Sequence, residues 1–547
     1  MPRTRAWPSV LALCLFAAAT GLTGITWGLP SLAADPYLFG DRTPWTGQEI
    51  IALAGQFTSD ANTGSDVDRN PLDRRTTLVL NATDAERAEI VRRYRLYTYQ
   101  PDEFITLRSL AGMKPGQLQL DPKVYQYGGL WIYPVGAMLK LAQLTGYATL
   151  TPDLAHYLDH PDGFGRLYVV ARLYSALWLV VGAAVVWWLG RRFGGPLAGT
   201  LAGLVFVAMP VVVSMSHEAK PHLGGAVLML AAIAAAVRYV DGGRRRWLFA
   251  CGALCGAAFG MVLSSLPIFA VVPLAALYRR ATWGRWFGDV ALALLVGAGL
   301  YAITNPYVWI NAVRNPAVLQ SNLGTSTAMY AVGRWYDGVA NAASLIVEGA
   351  SPPAAALGLA AAVAWGVRRP RGTGWLLAVP ALLVATQAAA VGAGKPGEFG
   401  RFMILTDVAL GVAAAVAVAR LRSARPRVAA GIALTALVAV YGGAYLAALV
   451  ADTRPTNTRL LAAKSLAQLR SPTTDAIQLY AEPAPYATPP LDLWRWTLLL
   501  APPGTDVPLP EADVTLRAVD VPPDGTRWPP TRITWADKPF DVRVGPR

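Results

Sequence analysis

Two adjacent carboxylates, Asp102 and Glu103, follow Pro101 in the run Tyr-Thr-Tyr-Gln-Pro-Asp-Glu at 97–103. A carboxylate within hydrogen-bond reach of a hydroxyl group can take its proton and act as a general base. Burial and a neighbouring negative charge both raise a carboxyl pKa, which makes the carboxylate a stronger base. Acidic residues after proline also commonly begin a helix. The residues alone leave both interpretations open.

A second polar cluster occupies residues 216–222, between two apolar stretches, and Arg401 lies in a similar position farther along the chain. Cations at such positions could stabilise negative charge that develops in a reaction. His217 and His222 are five residues apart with Pro221 between them, unlike the i,i+4 histidine pair of a helical zinc site. The spacing therefore does not indicate a metal site, although it does not exclude a divalent metal, and no other cofactor is predicted. The candidates in this cluster are His217, Glu218, Lys220 and His222.

The composition determines what kind of scaffold must position these residues. Of 547 residues, 54% are hydrophobic and 15% are charged, whereas soluble domains carry about 25% charged residues. Several apolar stretches approach the roughly 20 residues that cross a bilayer as a helix. The net charge of +14 comes largely from arginine clusters between these stretches. This distribution is typical of cytoplasmic loops, and nucleic-acid binding is not predicted.

Placing the arginine clusters in the cytoplasm predicts an all-α polytopic membrane bundle of about eleven transmembrane helices. Residues 247–278 are expected to form a hairpin of two short helices, and residues 128–147 a helix in the membrane interface. The outer tail is expected to be small and mixed or β-rich, with strands near 514–519 and 532–535. The predicted segments are 1–28 (first transmembrane helix), 29–165 (outer loop), 166–450 (remaining bundle) and 451–547 (extracytoplasmic tail).

On this topology the candidate residues gather at the outer face of the membrane. Ionisable groups near membrane depth are costly and indicate function by default, although contact with water at the outer face weakens that inference. The set comprises Asp35, Asp102, Glu103, His217, Glu218, Lys220, His222, Asn305, Glu398 and Arg401.

Three runs carry a resemblance to a known family: Tyr-Gln-Pro-Asp-Glu-Phe at 99–104, Tyr-Gly-Gly-Leu-Trp-Ile-Tyr-Pro at 127–134, and the span at 166–194 that ends in a basic turn. Together they resemble the integral-membrane GT-C glycosyltransferases. The closest likeness is to the glycosyltransferase 39 group, which includes protein O-mannosyltransferases and lipid A aminoarabinose transferases. Members similarly have an acidic motif in the first outer loop, followed by interfacial helices.

The resemblance implies a reaction on the extracytoplasmic face of the plasma membrane. A hexose or pentose would leave a polyprenyl-phosphate donor with inversion, and a hydroxyl of a lipid, glycan or protein acceptor would attack. An outer-loop aspartate acts as base in the family, and this role would fall to Asp102, with Glu103 beside it. Lys220 and Arg401 would contact the donor phosphate, and His217, Glu218 and His222 would line the same cleft.

Two departures from the family pattern keep a rival base open. In many relatives the acidic motif closely follows the first span, whereas here residues 29–101 intervene and Asp35 occupies the near position. Gln100 also replaces the usual histidine. A transporter or flippase is the main alternative function, since transporters often contain broken helices. No inverted repeat is visible in the sequence, and the polar residues gather on one face. A non-catalytic scaffold is the third hypothesis.

Overall fold

The structure is a computed structural model that describes residues 7–55, 77–329, 335–368, 372–391, 399–469, 475–502, 508–520 and 533–544. Its helices, in chain order, are α1 (Trp7–Leu22), α2 (Asp35–Phe39), α3 (Gly47–Ala54), α4 (Asp84–Leu96), α5 (Glu103–Ala111), α6 (Gly129–Leu144), α7 (Leu154–Asp159), α8 (Pro161–Gly194), α9 (Pro196–Ala208), α10 (Pro210–Ser216), α11 (His222–Gly242), α12 (Arg245–Met261), α13 (Val271–Tyr278), α14 (Trp283–Thr304), α15 (Pro306–Arg314), α16 (Pro316–Met329), α17 (Trp335–Ala350), α18 (Pro352–Arg368), α19 (Trp375–Val391), α20 (Ile404–Ala419), α21 (Ala424–Ala451) and α22 (Thr458–Gln468). Short 3-10 segments occupy Leu32–Ala34, Pro115–Gln117, Leu263–Ala270 and Phe399–Phe402.

The chain forms two compact units. The first, which we call the helical unit, comprises Met1–Thr23, Gly112–Ala137 and Ala171–Leu446. The second, which we call the mixed unit, comprises Gly24–Ala111, Met138–Val170 and Ala447–Arg547. The mixed unit therefore combines parts of two segments, 29–165 and 451–547, that the sequence analysis treated separately.

Apolar helices dominate the helical unit. By length and composition, four helices of the described chain can cross a membrane, namely α8, α11, α14 and α21. Two bent pairs, α9 with α10 and Gly338–Ala350 with α18, would raise the number to six. The apolar helices at Pro8–Leu22, Leu263–Tyr278, Trp375–Ala390 and Ile404–Ala419 are shorter. A bundle of apolar helices is thus observed, and the count of about eleven spans stays a prediction.

Small residues allow close helix packing in this unit. A methyl group placed on Gly252 of α12 would lie 2.0 Å from the carbonyl oxygen of Ala293 in α14. One turn later, Gly256 approaches Gly297 equally closely. Small residues spaced four positions apart let two helix backbones come into direct contact, which favours helix association in lipid. The region 247–278, predicted as a hairpin, contains α12, a 3-10 segment and α13, and the reversal of the chain between them stays a prediction.

The mixed unit contains a five-stranded sheet in the order β1-β3-β2-β4-β5. Its strands are β1 (Leu78–Val79), β2 (Ala476–Leu479), β3 (Thr497–Leu500), β4 (Val514–Ala518) and β5 (Phe540–Val544). Strand β2 pairs in parallel with β3 and β4, while the two edge strands, β1 and β5, pair antiparallel with their neighbours. All four residues of β2 are buried, as expected for a central strand.

The strand predictions for the tail met different outcomes. Strand β4 confirms the prediction at 514–519. The prediction at 532–535 is wrong for the described residues 533–535, which lie in a turn and an irregular stretch, while Arg532 lies outside the described residues. The carbonyl oxygen of Trp535 accepts a hydrogen bond from the Arg459 guanidinium at 2.8 Å, so this segment binds a side chain instead of a sheet partner.

Candidate active site

The acidic motif lies at the junction of two helices in the mixed unit. Helix α4 begins with a capping box between Thr83 and Glu86 and ends at Leu96, followed by Tyr97 in an extended conformation. Pro101 and Asp102 form a turn, and α5 begins at Glu103. The helix-start interpretation of the acidic pair is therefore correct structurally. It does not exclude chemistry, because the turn presents the two carboxylates differently.

Glu103 is buried within the loop, whereas Asp102 is only half-buried. The Thr98 hydroxyl donates to Glu103 Oε2 at 2.5 Å. The backbone N–H of Asp102 donates to Gln100 Oε1 at 2.7 Å. These hydrogen bonds fix the turn through its backbone and through the Glu103 side chain. Because Asp102 is less buried than Glu103, a substrate can reach the Asp102 carboxylate more readily.

Asp35 lies in the same unit but has a different environment. It is 5% exposed, and the Arg95 guanidinium donates to both its oxygens, at 2.7 Å to Oδ2 and 3.4 Å to Oδ1. Arg95 also donates to the carbonyl oxygen of Leu158 at 3.1 Å. Burial raises the pKa of Asp35, and the bonds from Arg95 oppose that rise. The Asp35–Arg95 ion pair thus joins α2 to α4, and Arg95 extends the connection to α7. This structural role occupies both oxygens of Asp35.

The C-terminal segment holds the motif loop at Tyr99. The Arg459 guanidinium lies 3.9 Å from the centre of the Tyr99 ring, a cation–π contact. Arg459 is 1% exposed and pairs with Asp452 at 3.4 Å. Tyr99 donates its N–H to the Gly28 carbonyl oxygen at 2.9 Å. Burial raises the pKa of Tyr99 to about 12, so its phenol stays protonated.

Gly28 makes this close packing possible. Its φ of +55° lies in the left-handed region, and a methyl group there would lie 2.6 Å from the Tyr99 ring. Only glycine adopts this conformation without strain and leaves room for the ring. Sequence reasoning missed Gly28, Asp452 and Arg459, because contacts across such sequence separations leave no local signal.

The 216–222 turn of the helical unit follows a broken helix. Helices α9 and α10 differ in direction by 59° at the break before Pro210, because proline lacks the N–H that would continue the helix. His217 then caps α10 with its ring fully buried: Nδ1 lies 2.7 Å from the Val213 oxygen and Nε2 lies 2.9 Å from the Thr23 oxygen. Burial lowers the pKa of His217, and the carbonyl contacts oppose this shift.

Glu218 and Lys220 form a buried ion pair. Glu218 Oε2 lies 3.4 Å from Lys220 Nζ, and each side chain is 1% exposed. The Ser214 hydroxyl donates to Glu218 Oε1 at 3.2 Å, and Ser175 donates to the Glu218 carbonyl oxygen at 2.6 Å. A buried charge needs such partners, since its desolvation is costly. The turn thus contains a fixed ammonium group whose charge is balanced by Glu218.

Aromatic contacts bring His222 and Arg401 to the same end of the helical unit. The His222 ring packs edge-on against Tyr127 and Phe402, with centroids 5.9 and 5.4 Å away. The Arg401 guanidinium lies 5.2 Å from the Phe402 ring centre. His222 and Arg401, which are far apart in sequence, therefore contact the same phenylalanine.

Asn305 has a structural position in this unit. Its Oδ1 accepts a hydrogen bond from the Gly129 N–H at 2.8 Å, at the start of α6. Glu398 lies outside the described residues. The described residues include no group of three histidine, cysteine or acidic side chains that could hold a metal ion. Asp35, Asp102 and Glu103 lie in the mixed unit and the other candidates in the helical unit, so their convergence stays a prediction.

Comparison with known proteins gives one family match. Residues 164–309 match the family described as dolichyl-phosphate-mannose-protein mannosyltransferase. The matched region begins in α8, ends in α15 and includes the 216–222 turn. The resemblance to the GT-C glycosyltransferases of the glycosyltransferase 39 type is confirmed over this region. None of the curated proteins matches the chain significantly.

Several solved structures are similar to the chain. One is the ArnT of Cupriavidus metallidurans bound to undecaprenyl phosphate, with 18% identity and a TM-score of 0.48, covering 84% of this chain and 98% of that one. Another is the Archaeoglobus fulgidus oligosaccharyltransferase tethered to an acceptor peptide. Its identity is 13% and its TM-score 0.40, with coverage of 90% of this chain and 64% of that one.

Proposed function

We propose that the chain is a membrane glycosyltransferase that moves a sugar from a polyprenyl-phosphate donor to an acceptor hydroxyl, with inversion. The observation that carries this proposal is the family match at 164–309, whose description names a dolichyl-phosphate sugar donor and which spans the 216–222 turn. The half-buried carboxylate of Asp102, held in a turn, supplies a suitable base. We place the reaction on the extracytoplasmic side of the plasma membrane, with 29–165 and 451–547 outside.

The proposed reaction is a single displacement. The acceptor oxygen attacks the anomeric carbon while Asp102 takes the hydroxyl proton. The bond from the anomeric carbon to the phosphate oxygen breaks, and the lipid phosphate leaves with the electron pair. Lys220 and Arg401 would neutralise charge on that phosphate, because cations placed where charge develops stabilise the transition state.

The environments of the carboxylates support Asp102 over Asp35 as the base. Both oxygens of Asp35 accept hydrogen bonds from the buried guanidinium of Arg95, so taking up a substrate proton would disturb a buried ion pair. Glu103 is also buried and accepts the Thr98 hydroxyl. We propose that Glu103 orients the turn that presents Asp102.

Lys220 and Arg401 are supported as phosphate ligands by different observations. Lys220 lies inside the region of the family match, in a buried turn that fixes its ammonium group. Arg401 lies beside Phe402, which also packs on His222 at the start of α11. Arg401→Ala should therefore weaken binding of a polyprenyl-phosphate donor, whereas Arg246→Ala, at an exposed arginine in the first turn of α12, should leave it unchanged.

One observation favours a transporter as the second candidate. Both bent helix pairs, with angles of 59° and 110°, resemble the discontinuous helices of transporters. One assay separates the two functions. Purified protein in vesicles receives a radiolabelled polyprenyl-phosphate sugar as donor and an extract of envelope glycans, freed of detergent, as acceptor. A glycosyltransferase releases polyprenyl phosphate and labels the extract. Movement of intact donor across the vesicle membrane without release would refute the proposed function.

A further inference from the structure

The mixed unit contains a pocket of about 370 Å³ beside the motif loop. Small-ligand pockets typically measure about 300–1,000 Å³, so this one suits a ligand of one or two rings. Five sequence regions meet there: the chain after α1, the end of α4 with the motif loop, the start of α8, the segment from the end of α21 into α22, and the stretch that contains Pro485 and Pro490. The lining includes Ser31, Tyr94, Tyr97, Tyr99, Arg454 and Leu460.

The inner wall of the pocket is rigid. The buried Tyr94 donates its hydroxyl towards the carbonyl oxygens of Thr488 and Pro489, 3.0 and 3.1 Å away. Tyr99 is held beneath the Arg459 guanidinium, and Arg459 is in turn bound to the Pro485 carbonyl oxygen at 2.7 Å. These aromatic rings therefore present fixed apolar faces, which cost little entropy when a ligand ring packs on them.

The remaining lining supplies both kinds of hydrogen-bonding group. Asp162 and Arg454 line the pocket with exposed side chains, and Tyr97 lines it half-buried. A carboxylate only accepts hydrogen bonds, a guanidinium only donates them, and a phenol does both. Adjacent ring hydroxyls need this mixture, since each one donates and accepts. The lining contains two carboxylates, Asp162 and Asp452, and two guanidinium groups, Arg454 and Arg459. These charges balance, so the pocket lacks the excess of cations that binding a phosphate would require.

We propose that this pocket binds a pyranose ring of the acceptor, so that the acceptor is a glycan. The acceptor role rests on the proposed function, whereas sugar binding by the pocket stands on its lining alone. Tyr99 precedes Asp102 by three residues, so their Cα atoms are at most about 11 Å apart. Part of the pocket lining and the proposed base therefore belong to the same short loop.

The test measures binding separately from transfer. Full-length protein in detergent is examined by saturation-transfer NMR with methyl α-mannopyranoside, methyl β-galactopyranoside and methyl β-glucopyranoside as probes. Wild type should saturate at least one of them. Leu460→Trp, which fills the pocket, should abolish that signal. Leu461→Trp is the matched control and should retain it, because Leu461 is 50% exposed and lies outside the pocket lining.

Two further variants separate this proposal from the proposed function and from misfolding. Arg454→Ala changes only an exposed side chain and should weaken probe binding at least several-fold without changing thermal stability. Asp102→Asn should lose transfer but retain the saturation signal. If no probe binds to wild type, or if Leu460→Trp binds as well as Leu461→Trp, the pocket proposal is wrong. A serine- and proline-rich peptide that binds there instead of the sugars would also overturn it.

Discussion

Asp102→Asn is the substitution that tests the proposed mechanism most directly. Asparagine has nearly the same shape, and the backbone bond from residue 102 to Gln100 Oε1 does not depend on the side-chain charge. The side chain loses its negative charge and, with it, the ability to take the acceptor proton. General-base catalysis contributes about 10²–10⁴-fold, which corresponds to about 2.7–5.4 kcal/mol in the activation barrier. Turnover per folded molecule should fall by that factor, with unchanged thermal stability.

The matched control is Asp35→Asn, because the structure predicts the opposite pattern for it. This change leaves the Arg95 guanidinium, 3% exposed, without its charged partner. Breaking a buried ion pair in this way typically costs about 3–5 kcal/mol of unfolding free energy. The variant should therefore be less stable while its folded fraction turns over nearly normally. Glu103→Gln should lose less than about tenfold, because the amide oxygen still accepts the Thr98 hydroxyl.

The assay is transfer from radiolabelled polyprenyl-phosphate sugar by purified variants, normalised to the folded fraction measured from thermal unfolding. Normal turnover by Asp102→Asn combined with loss in folded Asp35→Asn would move the base to Asp35. Normal turnover by all three variants would refute general-base catalysis by any of these carboxylates.

Three other predictions follow from the helical unit and the topology. Lys220→Met should weaken donor binding and also lower stability by about 3–5 kcal/mol, since it leaves Glu218 buried without its partner. The double variant Lys220→Met/Glu218→Gln should regain stability but not donor affinity. Recovery of both stability and donor affinity would exclude a contact between Lys220 and the donor phosphate. The proposed topology places Asp41 outside the cell and Arg246 in the cytoplasm. A membrane-impermeant thiol reagent should therefore label Asp41→Cys but not Arg246→Cys in intact cells, and the reverse pattern would show that the topology is inverted. Because burial lowers the pKa of His217, folded protein binds fewer protons than unfolded protein below pH 6.5, so stability should fall as pH decreases from 6.5 towards the folded pKa. Thermal unfolding should show a weaker decline in His217→Gln, and an identical decline would assign it to other groups.

Local sequence signals predicted the helices well. The apolar stretches assigned as spans are largely helical in the described residues, and the region where the arginine pattern predicted a hairpin is divided at Val262 into α12 and a second helical stretch. The reason is that helix formation depends on neighbours three and four residues apart, and apolar composition reports directly on membrane burial. The acidic pair and the 216–222 turn could likewise be selected as candidates from residue type and position.

Neither the pairing of the strands in the sheet nor the partners of the buried charges could be predicted from local sequence, because both depend on tertiary structure. Strand β1 pairs with β3 across more than 400 residues of sequence: Leu78 lies opposite Leu500. No local pattern identifies such a partner, because strand pairing is specified by the burial of both strands at once.

The sequence alone determined which carboxylates were candidates, and tertiary structure decided how each one is presented. Asp35 and Asp102 are the same residue type, both predicted at the outer face, and residue type could not rank them. Folding brings Arg95 to Asp35 and leaves Asp102 half-buried at a turn. A buried carboxylate must be paired to offset its desolvation, but the identity of the pairing cation depends on contacts across 60 residues of sequence. Those contacts exist only once the chain has folded.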